Sequence, residues 1–131
     1  MNSIARTDAY NDMAISSLVM GANSHELIQL LFTELERSLE AAKFFLDQGD
    51  LKNMRKSLTK TCRILGGLQG SIDFDKGGEI AINLSELYRF CIKELFKVNT
   101  NPDEAGISNV KTILSPIFQA WAEMPTSHHK N

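Results

Sequence analysis

Residues 51–72 read LKNMRKSLTKTCRILGGLQGSI, and the spacing of their apolar side chains decides the fold. Leu51, Met54, Leu58, Thr61, Leu65, Leu68 and Ile72 follow one another at alternating steps of three and four residues. Side chains so spaced share one face of an α-helix, and an unbroken run of such steps is the seam of a helix packed in a bundle. Asp50 precedes the run, where its carboxylate can accept a backbone N–H of the first turn. Gly66, Gly67 and Gly70 fall inside the helix, each costing up to about 1 kcal/mol relative to Ala. Their expected use is a close helix contact or a bend.

On the N-terminal side the same spacing recurs in Leu27, Leu31, Leu35, Ser38, Ala42 and Phe45. This helix begins at Asn23, which with Glu26 forms a capping box, and ends near Gly49. On the C-terminal side, Asp73 to Gly78 is polar and glycine-rich and is expected to turn the chain. A third helix is predicted from about Glu79 to Val98, with one row of Ile80, Leu84, Leu87, Cys91, Leu95 and Val98. Ile82, Tyr88, Phe90, Ile92 and Phe96 widen that row. Asn101, Pro102 and Glu104 supply a cap, a first-turn proline and a capping-box acid for a fourth helix. Its seam is Ile107, Val110, Leu114, Ile117, Trp121 and Met124; Pro116 is expected to kink it and Pro125 to end it.

Four helices of roughly 20 residues, each about 30 Å long, joined by short loops, predict an all-α, antiparallel up-and-down four-helix bundle over residues 23–125. Residues 1–22 are weakly patterned and are expected to form a mobile N-terminal arm, and residues 126–131 a polar C-terminal tail. The second helix carries Lys52, Arg55, Lys56, Lys60 and Arg63 and no acid, while the first carries Glu26, Glu34, Glu36, Glu40 and Asp47. As antiparallel neighbours they attract modestly.

The chain has 131 residues, 43% of them hydrophobic, with 14 Lys plus Arg against 16 Asp plus Glu and a formal net charge of −2. That balance argues against a nucleic-acid binder, whose domain is normally basic. No apolar run reaches the roughly 18 residues of a membrane span, and no secretion signal is expected. Cys62 and Cys91 cannot make a disulfide framework and read as reduced thiols in a cytosolic protein.

Bundles often house cofactors, but the Glu-x-x-His pair of di-iron sites and the Cys-x-x-Cys-His of haem attachment are absent. Asp73, Asp75 and Gly78 match positions one, three and six of a calcium loop, yet Gly77 and Leu84 stand where oxygen ligands belong. The sequence therefore predicts no metal, no cofactor and no enzyme. His25 in the first turn of its helix reads as a surface residue; a four-helix signalling or phosphotransfer module using it is the alternative function.

What stands out is apolar excess. A bundle helix needs one apolar stripe, whereas the third helix has enough for two faces and the arm adds Ile4, Tyr10, Met13, Ile15, Leu18, Val19 and Met20. Either the third helix is buried on several sides or its surplus face is a groove for an amphipathic partner helix.

Gly77-Gly78-Glu79-Ile80-Ala81, then Asn83-Leu84 and Leu87-Tyr88, resembles the G-G-E-[IL]-A-x-N-L-x-x-L-Y signature of the flagellar secretion chaperone FliS family. Ala22 to Leu31, Ala42-Lys43, Gly49-Asp50 and Ala120-Trp121 are similar to further family positions, so the resemblance spans about Ala9 to Met124. Asn23-Ser24 replaces the family's usual Ser-Pro, and Pro116 is unusual in the last helix. The resemblance implies a cytoplasmic, non-enzymatic export chaperone that binds the C-terminal segment of flagellin, prevents premature polymerisation and delivers it to a component of the type III export gate. It also implies that the bound segment becomes helical and wraps the bundle, and that the chaperone's own arm covers part of the site, with Tyr10 as the candidate cover. The expected flagellin-binding residues are Tyr10, Leu65, Leu68, Ile80, Leu84, Leu87 and Tyr88, of which some must be core. A homodimer is compatible with the sequence.

Overall fold

The computed structural model describes residues 24–124, which form four helices: α1 (Ser24–Asp47), α2 (Leu51–Gly70), α3 (Phe74–Thr100) and α4 (Glu104–Glu123). The packed pairs are α1 with α2, α2 with α3, α3 with α4, and α4 with α1. Each helix thus lies between two others in a closed square, the up-and-down bundle that short loops dictate. Tyr10 and the rest of the arm, the cap at Asn23, and the tail lie outside the described residues.

Local chemistry sets the ends. At the close of α1, Gly49 has φ 75°, its N–H donates to Leu46 O (3.0 Å), and the Asp50 N–H donates to Phe45 O (2.8 Å). These two bonds are a Schellman stop, which needs the left-handed residue. Asp50 then caps α2: one carboxylate oxygen accepts the Asn53 N–H (3.2 Å) and the other the Asn53 side-chain amide (2.7 Å). Those bonds hold its carboxyl below the usual carboxylate range.

Two predicted boundaries are corrected. The third helix starts at Phe74 rather than about Glu79, because Asp73 accepts the Lys76 N–H (3.1 Å) and closes a helical turn ahead of the break. The break itself is Gly78, at φ 52° and ψ −126°, a conformation open to glycine and strained for any side chain. In the next connection Asn101 ends α3, its N–H donating to Lys97 O (2.8 Å), and Asp103 caps α4 by accepting the Ala105 N–H (3.0 Å). Pro102 therefore precedes the cap instead of filling the first turn. Helix α4 continues through Pro116, which lies on its exposed side, so the lost hydrogen bond falls on the solvent face.

The α2 seam is buried from Met54 to Leu68, facing Leu35, Leu39 and Ala42 of α1 and Leu95, Val110 and Leu114 of α3 and α4 in one core. Full burial of such side chains stabilises by roughly 1.5–3 kcal/mol each. Phe32, Leu39 and Phe118 join the core although the seams named from spacing omitted them. Inside the α1–α2 contact the Thr61 hydroxyl lies 2.7 Å from Ser38 Oγ, which itself donates to Leu35 O (2.9 Å). A satisfied polar pair in an apolar seam favours one register of the two helices. The close helix contact occurs at Gly106, where a Cβ would stand 2.4 Å from Val98 Cγ2. At Gly66, Gly67 and Gly70 an added Cβ meets nothing within 4 Å, so these three serve no close packing among the described residues. Lys60 pairs with Glu34 across α1 and α2 (3.5 Å), while Lys43–Glu104 (3.8 Å) and Lys111–Glu40 link α1 to α4.

Candidate partner-binding groove

The beginnings of α1 and α3 and the ends of α2 and α4 meet at one end of the bundle. Trp121 joins two of them. Its indole Nε1–H donates to His25 O (3.1 Å), and His25 Nε2 donates to Trp121 O (2.9 Å). The two rings stack at 4.9 Å with an interplanar angle of 11°, and the edge of Phe32 meets the indole at 6.2 Å and 89°. Reciprocal bonds plus stacking lock the start of α1 to the end of α4. His25 is only 4% exposed, which corrects its reading as a surface residue. It is a structural clasp with Nε2 bonded to Trp121 O, unlike the solvent-exposed histidine that phosphotransfer needs.

Beside this clasp lies an apolar groove of about 270 Å³. Ile28 and Phe32 of α1 and Ile117 and Trp121 of α4 form one wall; Leu68 and Ile72 of α2 and Ile80, Ala81, Leu84 and Tyr88 of α3 form the other. Gly77 also lines it, packed so that a Cβ would stand 2.7 Å from Ala81 Cβ. The break at Gly78 thus folds the first turn of α3 closely against Ala81 of the same helix, beside the groove.

The residues singled out from sequence divide among different places. Leu68 and Tyr88, each 2% exposed, form the groove's inner surface, Leu84 is half-buried on its side, and Ile80 stands at the rim, 78% exposed. Leu87 is half-buried outside the groove lining. Leu65 is enclosed in the core beneath it, with no exposed surface. Spacing did not single out the α1 wall, since Ile28 and Phe32 lie outside the seam named for that helix, nor Trp121 as a groove residue, whose pattern signal was a seam, which does not distinguish core from groove. Further along α3, Ile82, Phe90 and Phe96 are about half or more exposed, so part of the surplus read from sequence is exposed surface on α3, while Tyr88 is buried and Ile92 packs against the core.

Chemistry at the site is limited. Burial pushes the Tyr88 hydroxyl up to about 12 and the Cys62 and Cys91 thiols each up to about 11, so all three stay protonated near neutral pH and the thiols are poor nucleophiles. Among the described residues no group of three or more His, Cys, Asp and Glu could hold a metal ion, and Asp73 of the calcium-like run caps α3. The arrangement suits binding of apolar side chains.

Residues 6–128 match the family described as Flagellar protein FliS. The chain belongs to the FliS family of flagellar secretion chaperones. Over 117 residues it is 40% identical to the flagellar secretion chaperone FliS of Salmonella typhimurium, covering 88% of this chain and 87% of that one. It is 31% identical over 112 residues to FliSB of Pseudomonas aeruginosa (86% and 89%) and 27% identical over 121 residues to the Vibrio cholerae protein (92% and 89%). A role in flagellar export as a chaperone follows from this membership, and no helix among the described residues is long and apolar enough to cross a membrane.

Proposed function

We propose that this chain binds the C-terminal helical segment of flagellin in the cytoplasm, keeps it from polymerising prematurely and hands it to a component of the type III export gate, without catalysing a reaction. The observation that carries the reading is the apolar surface left open at the start of α3: a groove with Leu68, Leu84 and Tyr88 inside and Ile80 at its rim, continued by exposed Ile82, Phe90 and Phe96. A segment that packs with its own copies in a filament presents an apolar face, and masking it requires apolar surface on the partner. Leu65 supports the groove from below, Leu87 flanks it, and Tyr10 is proposed as the cover that the segment displaces. The same surface makes a homodimer of the unliganded chain the competing occupant.

Calorimetry of the full chain against a peptide of the cognate flagellin C-terminus tests this. We expect roughly one-to-one binding with a negative heat-capacity change from apolar burial. No binding at tens of micromolar overturns it.

A further inference from the structure

Few polar side chains line the apolar groove, and all but one are engaged within the chain. The Ser71 hydroxyl donates to Leu68 O (2.8 Å). Asp73 accepts the Lys76 N–H (3.1 Å) as the cap of α3 and stands exposed at the rim. The Trp121 indole N–H donates to His25 O (3.1 Å). The exception is Tyr88. Among the described residues no hydrogen bond engages its hydroxyl, although the residue is only 2% exposed.

Two observations direct that hydroxyl at the groove. Long side chains of a helix lean toward its N-terminus, which carries the Tyr88 ring toward the turn of Leu84 and so along the groove that both line. Gln29 Oε1 is the single fully enclosed side-chain oxygen or nitrogen left without a partner among the described residues. The Tyr88 hydroxyl, unpartnered too, therefore keeps some open surface. Burial pushes it up to about 12, so it stays protonated and can both donate and accept.

A guest segment that closes over the groove removes this remaining surface. Where the guest is wholly apolar, the hydroxyl loses water and gains no partner, which costs affinity; a guest with a hydrogen-bonding group at that point avoids the loss. The group has to be neutral, because Phe32, Leu68, Leu84 and Ile117 around it cannot compensate a charge taken out of water.

We propose that Tyr88 is a specificity-determining residue whose hydroxyl hydrogen-bonds a neutral amide or hydroxyl side chain, set among apolar residues on the bound helical segment. The inference rests on the reading that the groove receives the C-terminal segment of flagellin, and it names the polar feature by which the groove selects among apolar helices. A site with a buried polar group rejects a guest lacking the partner more strongly than an apolar pocket rejects one by size.

The test is a double-mutant cycle between Tyr88→Phe in the full chain and the cognate flagellin C-terminal peptide, with each Asn, Gln, Ser and Thr of the peptide changed singly to Ala. Tyr88→Phe keeps the ring and has no hydrogen bond to lose, so it is expected to melt with the parent chain. We expect it to bind the unaltered peptide about tenfold more weakly. One peptide substitution should weaken binding to the parent chain by as much and have no further effect on Tyr88→Phe. Equal affinity of Tyr88→Phe and the parent chain, or a loss that no peptide substitution shares, overturns the proposal.

A second arm uses two amphipathic Ala/Leu host peptides of about four helical turns, with Gln or Met at the centre of the apolar face. Apolar burial alone favours Met, whereas the parent chain is expected to prefer Gln several-fold and Tyr88→Phe to prefer Met. If the flagellin peptide binds neither chain, the reading of the partner falls and the host pair still decides the role of Tyr88. If Tyr88→Phe melts lower than the parent, the preference of the parent chain decides it. Host binding without a preference for Gln, or no host binding, overturns the proposal.

Discussion

The α1–α2 hairpin and the first half of α3 are built from similar apolar residues and end in opposite states. In the hairpin, Leu35, Leu39, Met54, Leu58, Thr61 and Leu65 are at most 2% exposed. In α3 before Tyr88, Ala81 alone is buried, while Phe74, Ile80 and Ile82 are about half or more exposed. The difference is one of neighbours. Helix α3 is apolar on more than one side, and only the side turned toward the other helices, with Ala81 and Tyr88, is covered, while Ile80 and Ile82 on its other sides stay exposed. The same kind of side chain is core where it faces another helix and open surface where it faces away.

Substitutions can break that contrast, the strongest in the hairpin. Leu65→Ala removes a fully enclosed side chain and is expected to cost about 3 kcal/mol in urea unfolding. If Leu65 acts only as support, the remaining folded fraction binds flagellin peptide as before; a selective loss of affinity with intact stability would place it in the binding surface.

Glycines sharpen the comparison at smaller scale. Gly78→Ala must adopt φ 52° and ψ −126°, and we expect a loss of about 2 kcal/mol together with a distorted groove mouth. Gly66→Ala, in a helical conformation with open space around the new methyl, is expected to stabilise by up to about 1 kcal/mol. Chemical denaturation of the two variants side by side checks the opposite signs.

The smallest stability effect belongs to the exposed end of α3. Ile80→Ser should change unfolding free energy by no more than about 0.5 kcal/mol, since the side chain is 78% exposed. Its flagellin-peptide affinity should nonetheless fall about tenfold, a difference of about 1.4 kcal/mol. Equal affinity in Ile80→Ser and the parent chain would remove the rim from the site.

Much of the fold was legible because it is locally encoded. The steps of three and four in Met54 to Leu68, the cap at Asp50 and the stop at Gly49 each rest on contacts within a few residues. The boundary of the fourth helix failed because Asn101 was read as its cap, whereas Asn101 closes α3 and Asp103, two residues on, accepts the Ala105 N–H. The groove was half legible. Leu68, Ile80, Leu84 and Tyr88 were read as its α2 and α3 wall, but the α1 and α4 wall was hidden, because a seam residue such as Trp121 has the same spacing whether it meets core or cleft. His25 was misread for a related reason: its partner Trp121 is 96 residues away and reaches it only because the end of α4 returns beside the start of α1.

By itself, then, the sequence determined the four helices of the bundle, the cap at Asp50, the stop at Gly49 and the apolar seams, since these follow from spacing and from hydrogen bonds between near neighbours in the chain. The tertiary structure decided which stretches of the helices' apolar faces are core, which form the apolar groove and which of the charges on α1, α2 and α4 meet as ion pairs. Burial and charge compensation depend on what lies across the gap between helices, and that neighbour comes from a distant part of the chain.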